Sequence, residues 1–339
     1  MLDLNTIWFV LVAVLLIGYA ILDGFDFGVG VLHFFAKTDT ERRIHMNSIG
    51  PVWDGNEVWL ITGGGALFAA FPPVYAAVFS GFYLALILLL FALIFRAVSI
   101  EFRSKVDSPA WRKFWDRGFG IGSLLPPILL GTALGNVLRG VPLDSTGHYA
   151  GTFFGLLNPF SVLVGILTLV LFTAHGGIWL AMKSEGELHE RTRARIPGFW
   201  TASVALFAVT TIIAVNAVPG LVNRATANPL TWLFAVLLLL CAVLVYAFVK
   251  TDKLVSAFVS SSGFIASAFA LAALSLFPNM LPASNDPSLS LTIYNASSTP
   301  LTLKIMLYIA LGGMPFVIAY TIFIYRVFRG KVRLTTDSY

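Results

Sequence analysis

The sequence predicts an all-α polytopic membrane protein of nine transmembrane helices, arranged as two four-helix bundles plus one peripheral helix. Three observations carry this. Of the 339 residues, 58% are hydrophobic and only 12% are charged, about half the charged share of a soluble domain, and the mean hydropathy is +0.84. Apolar runs long enough to cross the ~30 Å hydrocarbon layer recur along the whole chain. Lysine and arginine gather in alternate connections, as loops on the cytoplasmic side of a membrane do.

Taken in order, the runs lie at about 6–34, 74–97, 117–138, 152–182, 198–217, 230–249, 254–277 and 303–326. The first follows MLDLNTIW, which lacks a basic leader region and reads as a retained helix. A ninth segment, 51–72, is short for a span, and length alone also allows a re-entrant piece. Charge arbitrates. If 51–72 crosses, 19 of the 22 Lys and Arg fall on one side, against Arg139, Arg224 and Lys304 on the other; the best eight-helix arrangement divides them 16 to 6. Nine helices therefore put the N-terminus outside and the C-terminus in the cytoplasm. Proline and asparagine pairs at 72–73, 228–229 and 284–287 punctuate the outer connections, and the long polar segment 278–300 is expected to lie over the outer surface. The inner loops TDTERRIHMNS and EGELHERTRAR are alike and follow the first and fifth helices. That likeness divides one membrane domain, 1–339, into a first bundle over 1–138, a second over 150–277 and a ninth helix over 302–328.

The net charge of +5 and pI near 9.3 do not indicate a nucleic-acid partner, because loop asymmetry accounts for them. Cys241 is the single cysteine, so neither a disulfide nor a thiolate metal site is expected. Walker, Rossmann and nucleophile-elbow patterns are absent, and Gly63–Gly65 reads as a surface for close helix packing.

The residues that demand a chemical reason sit inside the first two segments. SIGPVWDGNEVWLITGGG carries Asp54 and Glu57, and YAILDGFDFGVG carries Asp23 and Asp26. Each such residue costs roughly 2.5–3.5 kcal/mol on insertion scales. Within each pair the spacing is i, i+3, which puts both carboxylates on one helix face. Pro51 suits a first helical turn, placing Asp54 about one turn in, opposite the first-helix acids. Four carboxylates on adjacent helices suit a hydrated proton path or a cation site; a buried brace paired with Arg96 and Arg43 is the structural alternative. Haem ligation is disfavoured: His45, His148 and His189 fall in predicted loops, His33 at a helix end, and His175 stands in a span without a partner. Trp111 and Trp115 read as interfacial anchors. From these residues alone, a redox subunit with a proton path and a secondary transporter binding H+ or Na+ both stay open.

The runs LLIGYAILDGFDFGVG, TERRIHMNSIGPVWDGNEVWLITGGG, GSLLPPILLGTALGNVLRGVP, GELHERTRAR and FPNMLPAS…LTIYNASS resemble subunit II of cytochrome bd-type quinol oxidases over nearly the whole chain. The resemblance implies an integral subunit in a bacterial or archaeal cytoplasmic membrane, within a complex that oxidises membrane quinol and reduces O2 to water without pumping. It implies two haems b and one haem d carried by subunit I, a small single-helix accessory subunit in some complexes, and a structural quinone in this subunit in some members. It further implies a proton path through Asp54, with Asp23 and Asp26 nearby, and an oxygen access route beside Trp59. Glu57 stands where some members have glutamine, and the connection between the sixth and seventh helices is short, as in compact members.

Overall fold

The computed structural model describes residues 3–335. The extreme termini, 1–2 and 336–339, whose sides the charge division assigns, lie outside the described residues. Twelve helices carry the described chain: α1 Leu4–Leu32, α2 Asp39–Ile49, α3 Trp53–Ala70, α4 Pro72–Gly81, α5 Tyr83–Phe102, α6 Pro109–Arg139, α7 Pro159–Lys183, α8 Gly186–Ala217, α9 Pro219–Ala227, α10 Pro229–Lys250, α11 Leu254–Leu276 and α12 Pro300–Val327. Among the described residues, eight helices are long and apolar enough to cross a membrane, α1, α5, α6, α7, α8, α10, α11 and α12. The protein is thus an all-α polytopic membrane protein. α3 is not among the eight, because Asp54, Asn56, Glu57 and its glycines dilute the apolar content. Its 18 residues still reach about 27 Å, and it runs beside α1.

Local chemistry explains where the helices start. Ser108, Asn158, Asn228 and Thr299 each cap a helix with the side-chain oxygen, and each is followed by a proline in the first turn. The cap accepts an N–H that has no partner in the helix, and proline removes another. These signals move several starts away from the apolar runs. The run at 117–138 begins at Pro109 and the run at 152–182 at Pro159. The expected inner loops are largely helical: TDTERRIHMNS forms α2, and GELHERTRAR is the first part of α8. The run at 74–97 divides into α4 and α5 at Phe82. Pro51 lies outside the helix, whose cap is Val52.

α1 packs on α3, α6 and α7, and α7 packs on α1, α6, α8 and α11, so these two form the centre. Their backbones touch at glycines. A Cβ on Gly28 would lie 1.9 Å from the Phe172 carbonyl oxygen, and one on Gly176 would lie 2.5 Å from Gly28; only glycine permits that approach. Of the expected packing run on α3, Gly63 meets Leu16, whereas Gly64 and Gly65 have open space where a side chain would stand. α12 touches α1 and α3 and is largely exposed.

At one end, the segments 140–150 and 278–299 fold into a cover. β1 Asn279–Leu281 pairs antiparallel with β2 Leu291–Thr292, and Val141 exchanges backbone bonds with Pro282 and Ser284. Ser298 satisfies the end of α3 by donating its N–H to Ala70 O at 2.8 Å and its hydroxyl to Ala69 O at 2.6 Å, as helix-terminal carbonyls require. The opposite end carries α2, the 103–108 connection and most of the arginines.

Candidate functional site: a buried charge cluster

α1, α3 and α5 bring Asp23, Asp26, Glu57 and Arg96 together in the interior. Asp23, Asp26 and Arg96 are fully buried, and the Glu57 side chain is 23% exposed. The i, i+3 spacing on α1 turns both aspartates toward α3 and α5, as expected. Arg96 is the hub. Its Nη2 donates to Asp23 Oδ1 at 2.8 Å and to Glu57 Oε1, while its guanidinium lies 4.3 Å over the Phe27 ring. That arrangement suits arginine, whose flat, weakly hydrated cation stacks on aromatic faces. Asp26 is held differently. Asn56 Nδ2 donates to Asp26 Oδ2 at 2.7 Å and to Leu22 O at 3.2 Å, and Asn56 Oδ1 accepts from Tyr325 of α12 at 2.9 Å.

Among the described residues, one cation thus faces three carboxyls. Several polar atoms of the cluster have no protein partner: Asp23 Oδ2, Asp26 Oδ1, Arg96 Nε and Nη1, and the Tyr19 hydroxyl. Buried groups of this kind are ordinarily satisfied, and ordered water is the usual means. The cluster is therefore an internal polar site with a demand for water.

Asp54 is placed otherwise than its spacing suggested. It lies in the first turn of α3 and is exposed, on the flank of that helix, whereas Asn56 and Glu57 face α1 and α5. Trp59, half-buried, packs on α1, where a Cβ on Gly18 would lie 2.5 Å from its ring. Arg96 fills the cationic role foreseen for it; Arg43 instead donates to Thr335 O at 3.2 Å.

A second network lies at the arginine-rich end and was not foreseen. Asp116 Oδ1 accepts from Arg103 Nε at 2.6 Å and pairs with His33 Nε2 at 2.8 Å, and Arg103 Nη2 reaches Asp39 at 2.7 Å. Its members are far apart in sequence; a charged W-D-R run early in α6 was the only available signal. His45, expected in a loop, is buried in α2 with neither ring nitrogen bonded. Burial pushes its imidazole well below the ordinary value, with His33, Arg42 and Arg191 acting in the same direction, so it is neutral near pH 7.

Neither His175 nor His45 is placed to ligate a haem. His175 Nδ1 pairs with Ser261 Oγ at 2.7 Å and Nε2 with Ile21 O at 3.1 Å, and the ring stacks on Phe258 at 4.5 Å. Both nitrogens are engaged. His45 has free nitrogens, but the hollow beside it measures about 10 Å³, room for a single water. Among the described residues, no group of three or more His, Cys, Asp or Glu could hold a metal ion.

Comparison with known proteins adds a second line. The family described as cytochrome bd terminal oxidase subunit II matches residues 4–328. The chain is 40% identical over 360 residues to cytochrome bd-I ubiquinol oxidase subunit 2 of Escherichia coli strain K12, covering 97% of this chain and 95% of that one. It is 38% identical over 336 residues to cytochrome bd ubiquinol oxidase subunit 2 of Bacillus subtilis strain 168, covering 98% of each. In fold it is similar to a chain of the bd oxidase from Geobacillus thermodenitrificans, with a TM-score of 0.79 over 96% of this chain and 98% of that one, at 20% identity.

Proposed function

The chain belongs to the cytochrome bd terminal oxidase subunit II family, and on that premise we propose that it carries protons to the oxygen-reducing centre of a membrane quinol oxidase. It is a subunit of a bd-type quinol:O2 oxidoreductase, which decides against the transporter alternative. Its partner is subunit I, which in this reading holds two haems b and one haem d, in keeping with His175, whose two ring nitrogens are both engaged, and His45, which is walled in.

The observation that carries the reading is the cluster of Asp23, Asp26, Glu57 and Arg96, with four of its polar atoms and the neighbouring Tyr19 hydroxyl left for water. One guanidinium among three carboxyls leaves capacity for exchangeable protons, and bridging water would link them. Asp54, exposed at the start of α3, is the mouth; Glu57, one turn on, is the next group inward, followed by Asp23 and Asp26. Trp59 borders an oxygen access route. Because reducing O2 to water consumes protons, such a path limits turnover when it is interrupted. The test of the assignment is purification through a tag on this chain. The native complex should show b- and d-type haem bands and quinol-driven oxygen consumption. A chain that purifies intact from its native membrane without a haem-bearing partner would contradict it.

In the proposed topology α3 crosses with the eight longer helices, making nine, and the arginine-rich end faces the cytoplasm. Support comes from the 19-to-3 charge division and from α3 running beside α1 to meet the cover at Ala70. A reporter fused after Arg333 should behave as cytoplasmic, and one inserted near Ser284 as exterior. Finding both on one side would remove the ninth crossing.

A further inference from the structure

A hollow of about 500 Å³ opens at the arginine-rich end, lined by Phe34, Asp39, Arg42, Arg103, Pro109, Arg112, Lys113, Asp116 and Arg117. Five cations face two carboxylates there. The carboxylates are already engaged, Asp116 by Arg103, His33 and, at 3.6 Å, Arg42, and Asp39 by Arg103, and Arg112 is held by Asp107 at 2.8 Å. Lys113 and Arg117 are different. They are exposed, one turn apart on α6, and among the described residues neither has an ion-pair partner. Pro109 brings the N-terminus of α6 to the same hollow, where the helix dipole adds positive potential. An anion is the chemistry that this excess of positive charge selects.

The surroundings specify the rest of the ligand. Phe34 forms part of the wall, and on α6 Phe114 and Ile121, three residues before and four after Arg117 and so on its side of the helix, are exposed. Trp111 Nε1 donates to Phe102 O at 2.8 Å, fixing an aromatic belt of the kind found where hydrocarbon meets water. A free phosphate would use the cations and leave this apolar rim bare. A molecule with an anionic head and an apolar body would use both.

We infer that this hollow binds the headgroup of an anionic phospholipid, the phosphate on Lys113 and Arg117 and the acyl chains along the exposed apolar side of α6 at Ile121. Basic pockets at the ends of transmembrane helices bind such headgroups in general. The site is separate from the carboxylate path and does not depend on it.

The test uses the purified oxidase complex, stripped of lipid by washing in mild detergent and then incubated with dioleoylphosphatidylglycerol or dioleoylphosphatidylcholine. Native mass spectrometry reads bound lipid on the subunit, independently of haem content or turnover. Phosphatidylglycerol should be retained in preference to phosphatidylcholine, should resist millimolar inorganic phosphate, and should bind about thirtyfold more weakly to a Lys113→Gln/Arg117→Gln variant. Equal retention of the two lipids, or unchanged binding in an assembled variant, would overturn the inference. Displacement by inorganic phosphate would also overturn it, in favour of a free-anion site. If the variant does not assemble, the headgroup comparison on the parent complex decides alone.

Discussion

Arg96→Leu is expected to destabilise the protein by about 3–5 kcal/mol, the cost of stranding buried charge when one partner of an ion pair is removed. Arg96 is fully buried and serves Asp23 and Glu57 through one nitrogen while resting on Phe27. Leucine would fill much of the stem volume, so lost packing is the smaller part. Two carboxylates without a cation in a low-dielectric interior are the larger part. The measurement is the thermal midpoint and yield of the assembled complex, read by size-exclusion chromatography after heating. A compensating change separates charge from packing: adding Glu57→Gln and Asp23→Asn to Arg96→Leu should recover much of the loss, because removing both sides of a buried pair is often close to neutral. An Arg96→Leu complex with the parent midpoint would show that the cation is not needed to balance the cluster.

Much of this was legible in the chain. The eight long spans follow from apolar runs, and the intramembrane aspartates of the GFD block were found because their cost is high and their spacing regular. Arg96 could be named as a cation because it closes an apolar run, although its sharing between α1 and α3 required the packing. Helix ends were less legible. Apolar runs report the hydrocarbon layer, whereas α6 and α8 extend beyond it on capped or charged turns. The break at Phe82 has no proline, and only Gly81 hints at it. The orientation of Asp54 escaped because the helix starts at Trp53 rather than at Pro51, which leaves the carboxylate at the exposed end. The His33, Asp116 and Arg103 network joins residues as much as 83 positions apart, and no periodicity records such contacts.

The proton path is tested most directly at its mouth. Asp54 occupies the first turn of α3, exposed, one turn before Glu57, and the Glu57 side chain bonds to Arg96 at the edge of the buried acids. Asparagine there keeps the size and most hydrogen bonds but cannot titrate. The helix loses only a favourable charge at its N-terminus, about 0.3–1 kcal/mol, so assembly should survive with a normal haem spectrum and normal quinol binding. Turnover should not survive, because the step that loads the path needs a group that both accepts and releases a proton. The measurement is quinol-driven oxygen consumption by the purified complex, with Asp54→Glu as the sample that restores a titrating group. Asp54→Asn should slow consumption tenfold or more, ~1.4 kcal/mol of barrier per tenfold, and Asp54→Glu should recover a substantial part of the rate. An assembled, fully haem-loaded Asp54→Asn complex that consumes oxygen at the parent rate would contradict a proton path entering at Asp54.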